Sequence, residues 1–567
     1  MNNPIEIQPN RRLLMDRLWM RRHALIVALL LFAAASTLNA QTSQLGKVDF
    51  PTSGSPQAQA LFLRGLAALH SFWYEEALEA FRESTRIEPD FMMGYWGEAM
   101  TYNHPLWSEQ DTPAGKIVVA KIKDAARLTP RERAYLDAVK LLYAAGEKSA
   151  RDVAYSAAME KIYRDYPDDL DAAAFYSLSL LGLVQPGDKG FRLQARAGAI
   201  ALEVYQKNPN HPGAAHYIIH AFDDPEHAIL ALPAARRYAE IAPEAHHARH
   251  MPSHIFLQLG MWPEAAASNE SAWESSDAWM KRKNLSPNVR DYHSLNWLLY
   301  VYLQQGRYRK AEELLTLMKK TMSESTYDNK LRPGYYENNW ANMAAAFVIE
   351  TERWKLAPTL FPHNIVFPIS TSSGTTHGGH GAAATESNSM TVRSSTSSQR
   401  LSSLVLGFAM AHGVSFSEGV PVTTAGVPPV AETTPSIGQL EITALTLSLK
   451  NDHAQAIGIM KRAVALEEQL APPSGPPALI KPTHELFGEI LLRGGKPAEA
   501  LEQFNKALLR QPNRARSLLG AARAATAKGD PQAARSFYAK LAAQWQQADK
   551  DLAELREAQD FLKQAKN

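Results

Sequence analysis

An all-α superhelix of stacked helical hairpins is the fold this sequence predicts, and three observations predict it. Small and aromatic residues recur at a spacing of 34, prolines close successive helices at related intervals, and composition is ordinary for a globular chain: 567 residues, 45% hydrophobic, 21% charged. About eleven hairpins fit this length, well above the roughly three a stacked array needs, and one low-complexity stretch interrupts them.

The first 40 residues carry five arginines (Arg11, Arg12, Arg17, Arg21, Arg22), an apolar run from Ala24 to Ala35, and Leu38-Asn39-Ala40 before Gln41. That is the layout of a secretion signal, with cleavage expected after Ala40. The apolar run is too short to span a bilayer as a helix, which takes about 20 residues. The chain is therefore expected to be exported, periplasmic or secreted, with no stable membrane span once the signal is removed. Residues 41–57 form a linker to the array.

From 58 to 89 the sequence reads AQALFLRGLAALHSFWYEEALEAFRESTRIEP, with Gly65, Ala77, Phe81 and Pro89 at the spacing of a tetratricopeptide repeat. Gly488, Ala500, Phe504, Ala507 and Pro512 repeat those intervals near the other end, and Ala534 follows Ala500 by 34 residues. The physical sense is a pair of antiparallel helices: a small residue on the first admits an aromatic ring from the second, and proline stops the second. Ala99 lies 34 after Gly65, Thr129-Pro130-Arg131-Glu132 is a helix-start capping signature, and Pro167, Pro209 and Pro243 close three helices. Further units surround Ala265, Ala311, Ala357 and Ala456. The array is expected to run over 58–362 and again over 437–548, with a helix or tail at 549–567.

Residues 363–436 divide the two parts. This segment is rich in Ser, Thr, Gly and Ala, and between 371 and 399 its only charged residues are Glu386 and Arg393, so it is expected to be mostly disordered apart from a short helix at Arg400 to His412. His377 and His380 (HGGH) fall there and read as linker.

The charge balance and the absence of cysteine narrow the chemistry. Beyond residue 40 the chain holds 55 basic and 56 acidic residues, which gives no electrostatic footprint for nucleic acid. With no cysteine, disulfides, thiolate metal sites and a cysteine nucleophile are excluded, and any metal must sit on His, Asp or Glu.

Seven of the 18 histidines fall between His216 and His254, and His-x3-His occurs twice there, at His216/His220 and His250/His254. The pairs are 34 residues apart, so they take the same place in consecutive units. Residues four apart share a helix face, and neighbouring first helices line the inner wall of such a superhelix. The four imidazoles are thus expected to converge on one patch, with Asp223 on the same face. Such a set suits Zn²⁺, Cu²⁺, Ni²⁺ or iron. It equally suits a polar, ligand-binding groove, and Pro252, inside the second pair, threatens its geometry. Asp224, His247, Glu98 and His104 form a second rank. Trp262, Trp273, Trp279, Trp297 and the YHSLNWLL segment with His293 read as core.

The phrases YWGEAMTYNHPLW, AAHYIIHAFDDPEHA, RRYAEIAPEAHHARHMPSHIFLQLGMW and SNESAW resemble those of a family of exported bacterial tetratricopeptide-repeat proteins without an assigned activity. The resemblance covers roughly 58–360 and implies a helical solenoid and export; it carries over no catalytic residue. Without a Gly-rich phosphate loop, a G-x-S-x-G elbow or His-Glu-x-x-His, the chain reads as a binding protein more than an enzyme. The leading expectation is a scaffold that holds a protein or peptide partner in its concave groove. The alternative is a metal-binding or metal-dependent protein using the histidines.

Overall fold

The computed structural model describes residues 43–564 except 125, 186, 325–333, 362–396, 416–435, 472 and 477–480. The expected signal segment, the HGGH histidines and most of the low-complexity insertion lie outside the described residues. What is described is almost wholly helical.

The array opens with α1 (Pro56–His70), α2 (Tyr74–Ile87), α3 (Met92–Met100) and α4 (Thr112–Val119). It continues through α5 (Pro130–Leu142), α6 (Lys148–Asp165), α7 (Leu170–Gly182) and α8 (Arg192–Lys207). The histidine-rich centre comprises α9 (Pro212–Ala221), α10 (Ala228–Ile241), α11 (His246–His250), α12 (Pro252–Gln258) and α13 (Trp262–Arg282). Beyond it come α14 (Tyr292–Gln304), α15 (Tyr308–Ser323), α16 (Tyr335–Thr351), α17 (Ala357–Leu360) and α18 (Ser397–Ala411). The last helices are α19 (Ile437–Leu449), α20 (His453–Glu467), α21 (Thr483–Arg493), α22 (Pro497–Arg510), α23 (Ala515–Lys528), α24 (Pro531–Gln544) and α25 (Ala553–Gln564). Among the described residues the only sheet is a two-residue pair, Asn103–His104 against Glu109–Gln110.

The repeat works as its spacing requires. Phe81 on α2 is buried between Gly65 on α1 and Gly97 on α3; a Cβ on Gly65 would come within 2.8 Å of its ring and one on Gly97 within 2.3 Å. Phe504 lies in the same way between Gly488 and Gly520, at 2.8 and 2.3 Å. One ring therefore locks three consecutive helices, and any side chain beyond hydrogen on the facing positions would collide with it. Helices α2, α6, α8, α10 and α22 each stop two residues before a proline, namely Pro89, Pro167, Pro209, Pro243 and Pro512. The residue before proline is pushed out of helical geometry, which places the stop there.

The capping signature at Thr129 is formed: Glu132 N donates to Thr129 Oγ1 (3.1 Å) and Thr129 N to Glu132 Oε2 (2.8 Å). Glu132 also ties down the chain before α1, accepting from Ser53 N (2.7 Å) and Ser53 Oγ (2.8 Å) through Oε1.

Two features depart from an open solenoid. Helix α9 packs against α1 as well as against its sequence neighbours, and Gly213 permits this, since a Cβ there would lie 2.4 Å from the His70 ring. The C-terminal repeats close on the middle of the chain: Trp545 Nε1 donates to Gln304 O (2.9 Å), Ala515 N to Gln304 Oε1 (2.9 Å), and Trp262 Nε1 to Asn513 O (2.9 Å). The helix expected near 400–412 is α18, which packs between α16 and α19, so the two parts of the array are continuous in space across the interruption. No helix among the described residues is long and apolar enough to cross a membrane.

Candidate metal centre

Helix α9 begins where Pro212 takes the first turn and His211 caps it, accepting from Ala214 N through Nδ1 (3.2 Å). This start puts His216 and His220 one turn apart on one face, their Nε2 atoms 3.0 Å from each other. His247 on α11 completes a set of three, its Nε2 3.2 Å from that of His216. His216 is fully buried, whereas His220 and His247 are half-buried.

The second set is His250, His254 and His293. Pro252 breaks the helix between the first two, as the sequence warns: α11 ends at His250, α12 starts at Pro252, and Met251 joins them. The break does not spoil the pair, because Met251 keeps helical dihedrals (φ −53°, ψ −35°) and the Nε2 atoms of His250 and His254 lie 3.1 Å apart. His293 on α14 brings its ring centroid to 4.7 Å from that of His250. Trp297, one turn further along α14, walls this set, with its ring 4.2 Å from His254 and 5.0 Å from His250.

The two sets adjoin: ring centroids are 6.0 Å apart for His220–His254 and 6.0 Å for His247–His250. Phe72 covers the first set, its ring 4.3 Å from His216 and 5.8 Å from both His220 and His247. Phe72 holds a left-handed backbone (φ 52°) because it ends α1, where Trp73 N donates to Ala68 O and Phe72 N to Leu69 O, both at 3.0 Å.

Each anchoring ring is oriented from behind. His216 Nδ1 donates to the backbone oxygen of His70 (2.7 Å), His250 Nδ1 to Asn269 Oδ1 (2.7 Å), and His254 Nδ1 to Asp223 Oδ2 (2.6 Å). Hydrogen bonds of this kind fix the tautomer and turn Nε2 inward, the arrangement found behind metal-ligating imidazoles. Burial pushes the pKa of His216 and of His293 down to about 3 and that of His247 well below its ordinary value, so these rings are neutral near pH 7.

A third buried cluster supports the first. Asp171 Oδ1 accepts from His70 Nε2 (2.8 Å) and His211 Nε2 (3.3 Å), and Tyr217 Oη donates to His70 Nδ1 (2.9 Å). Burial alone would raise the Asp171 pKa, but the bonds from His211 and His70 hold it below the carboxylate range. Burial likewise brings His70 down to about 4. With both ring nitrogens of His70 engaged, the cluster fixes its main chain, and hence the carbonyl that holds His216.

The expected single four-histidine patch is corrected in two respects. His216/His220 and His250/His254 fall into adjacent sets completed by His247, ranked second, and by His293, read as core. They also sit inside the packing of α1, α9, α11, α12 and α14 rather than on an open wall, because α1 folds back onto α9. Asp223 meets the set through His254. Asp224 turns away, accepting from the backbone of Glu226 and His227 and from His227 Nδ1 (2.9 Å). Glu98 and His104 are not brought together: Glu98 accepts from Arg82 Nε (2.8 Å), and His104 stacks on Tyr74 at 3.9 Å. The cluster of His70, Asp171 and His211 went unread in the sequence, where the only signal was His211 preceding a helix-starting proline.

Tetratricopeptide-repeat family models match residues 58–91 and 486–549. No curated protein matches. Among solved structures, the chain is similar to a crystal structure of the APC/C hetero-tetramer Cut9-Hcn1 (12% identity, TM-score 0.34, covering 90% of this chain and 76% of that one). It is also similar to yeast Tom70 (10%, TM-score 0.23, 90% and 89%) and to the P58(IPK) TPR domain (12%, TM-score 0.19, 90% and 99%). With repeats matched near both ends of one continuous helical array, the chain carries tetratricopeptide repeats.

Proposed function

We propose that this chain is an exported scaffold that docks a protein or peptide partner on the helical surface of its repeat array. The observation that carries the reading is the repeat itself, since stacked helical hairpins of this type present extended surfaces suited to peptide recognition. A displayed peptide library panned against the purified chain should enrich one class of sequence, and that class should compete with itself as free peptide. Enrichment no better than on an unrelated helical protein would sink the reading. Export is tested separately: the exported chain should begin at Gln41, and an intact Met1 in the membrane fraction would contradict it.

A second reading is favoured by one observation, the two sets of three imidazoles held from behind. On this reading the chain binds a transition metal through His216, His220 and His247 or through His250, His254 and His293, with Asp223 orienting His254. Elemental analysis of the purified chain after metal loading and dialysis tests it. Metal content indistinguishable from that of a histidine-free control protein would remove it.

A further inference from the structure

Two buried carboxylates stand beside the second histidine set. Asp223 accepts from His254 Nδ1 at 2.6 Å, the two side chains being 6% and 1% exposed. Gln258 Nε2 donates to the other oxygen of Asp223 (3.2 Å) and to Pro473 O (2.7 Å), which holds that carboxylate in place. Asp291 starts α14 two residues before His293, accepting from Ser294 N (3.0 Å) and from His246 Nδ1 (3.1 Å). It is buried, and its charge favours positive charge on His250 and His293, and on His247 of the first set as well.

The three imidazoles between those carboxylates already converge. The Nε2 atoms of His250 and His254 lie 3.1 Å apart, and the donor atoms of the whole set lie within 4.8 Å of one another. Two nitrogens on one ion at about 2.0–2.1 Å are about 3–4 Å apart. A modest turn of the half-buried His293 ring therefore completes the set.

Charge then favours a doubly charged ion. Imidazole binds a metal in its neutral form, so the three donors bring no charge of their own. A charge taken into an interior is costly unless one of opposite sign stands close to it. A divalent ion at this set meets one negative charge behind His254, from Asp223, and a second beside His250 and His293, from Asp291. Imidazole nitrogen is also a good donor to zinc, cobalt and nickel in their divalent state.

We propose that His250, His254 and His293 bind one divalent transition-metal ion whose charge is balanced by Asp223 and Asp291. This rests on the metal reading above and goes beyond it in assigning the set, the charge of the ion and the residues that answer that charge.

The test is a titration of the purified chain with cobalt(II), read by visible absorption and by elemental analysis after dialysis. Silver(I), in chloride-free buffer, serves as a singly charged probe of the same nitrogens. His220→Ala with His247→Ala isolates the second set and should retain one cobalt ion per chain; adding His254→Ala and His293→Ala should leave none. Circular dichroism checks each variant for folding. Asp291→Asn in the isolated-set background can still cap α14, so it tests charge with little change of shape. It should weaken cobalt(II) about tenfold and silver(I) only about threefold, because the Coulomb energy lost scales with the charge of the ion. Equal losses for both ions would overturn the balancing role and reduce Asp291 to a helix cap. Cobalt bound by the unaltered chain but not by the isolated second set would overturn the assignment and leave the metal reading standing on the first set. No cobalt or zinc bound by the unaltered chain would overturn this proposal and the metal reading together.

Discussion

Arg514 and Glu485 meet in the interior through two parallel bonds, Nε to Oε2 at 2.7 Å and Nη2 to Oε1 at 3.0 Å, both side chains being 0% exposed. Arg514 also reaches Glu350 (2.6 Å) and the hydroxyl of Tyr300 (3.0 Å), so a residue at the start of α23 gathers groups from α14, α16 and α21. The guanidinium holds Glu485 below the carboxylate range despite its burial. Arg514→Leu should therefore cost about 3–5 kcal/mol by removing the buried cation that Glu350 and Glu485 share, with Lys481 left to pair with Glu485 (3.1 Å). Denaturant unfolding followed by tryptophan fluorescence measures this, and a loss under 1 kcal/mol would contradict it.

Glu441 supplies a pH dependence. Its carboxyl is buried against Thr483 Oγ1 (2.8 Å), and burial raises its pKa from 4.5 to about 8. The folded chain then holds a proton that the unfolded chain has released between those two values. Stability from this group is full below about pH 4.5 and falls as pH rises toward 8, by up to about 1.4 kcal/mol per unit. Glu441→Gln should keep the bond to Thr483 and flatten this part of the profile. Thermal melts of both chains between pH 5 and 8 should converge at the acid end and separate at the alkaline end.

The glycines facing Phe81 and Phe504 set a packing test. Gly97→Ala should lower stability by about 1–3 kcal/mol despite the better helix propensity of alanine, because the new methyl meets the Phe81 ring. Phe81→Leu combined with Gly97→Ala should lose less than the sum of the two single losses, since the smaller side chain makes room. Additive losses in a double-mutant cycle would mean that the contact is not what limits the site.

Glu132 joins two tasks, capping α5 and holding Ser53. Glu132→Ala should cost about 2–3 kcal/mol, the capping box and two further bonds to a charged acceptor being lost together. Limited proteolysis should then add a cut between Phe50 and Ser55 that the unaltered chain does not show. Unchanged cleavage sites would assign the ordering of that segment to other contacts.

What the sequence made legible follows the range over which each signal acts. Gly65, Phe81 and Pro89 announce a hairpin because their contacts lie within one unit, and the second copy at Gly488, Phe504 and Pro512 makes the announcement unambiguous. The offset from His216 to His250 was readable for the same reason. The sorting of those histidines into two sets was not, since His293 arrives from the next unit and the carbonyl on His216 comes from His70, 146 residues earlier. Burial of the site was equally hidden, because it depends on how far the superhelix turns before α1 meets α9. The joining of Asp171 to His70 and His211 draws on three units with no common spacing, so no period could betray it.

The contacts made by Gln304 have a consequence for how this chain can change over generations. An open solenoid can gain or lose a whole unit, because each unit touches only its neighbours. Here Gln304 is bonded to Ala515 and Trp545, 211 and 241 positions away, so the path between them must close a loop as well as continue a stack. Duplicating or deleting one hairpin between Tyr308 and Arg510 would rotate the later helices away from both bonds at once. Lineages of this chain should therefore vary in the length of their connecting segments while keeping the number of hairpins between those points fixed.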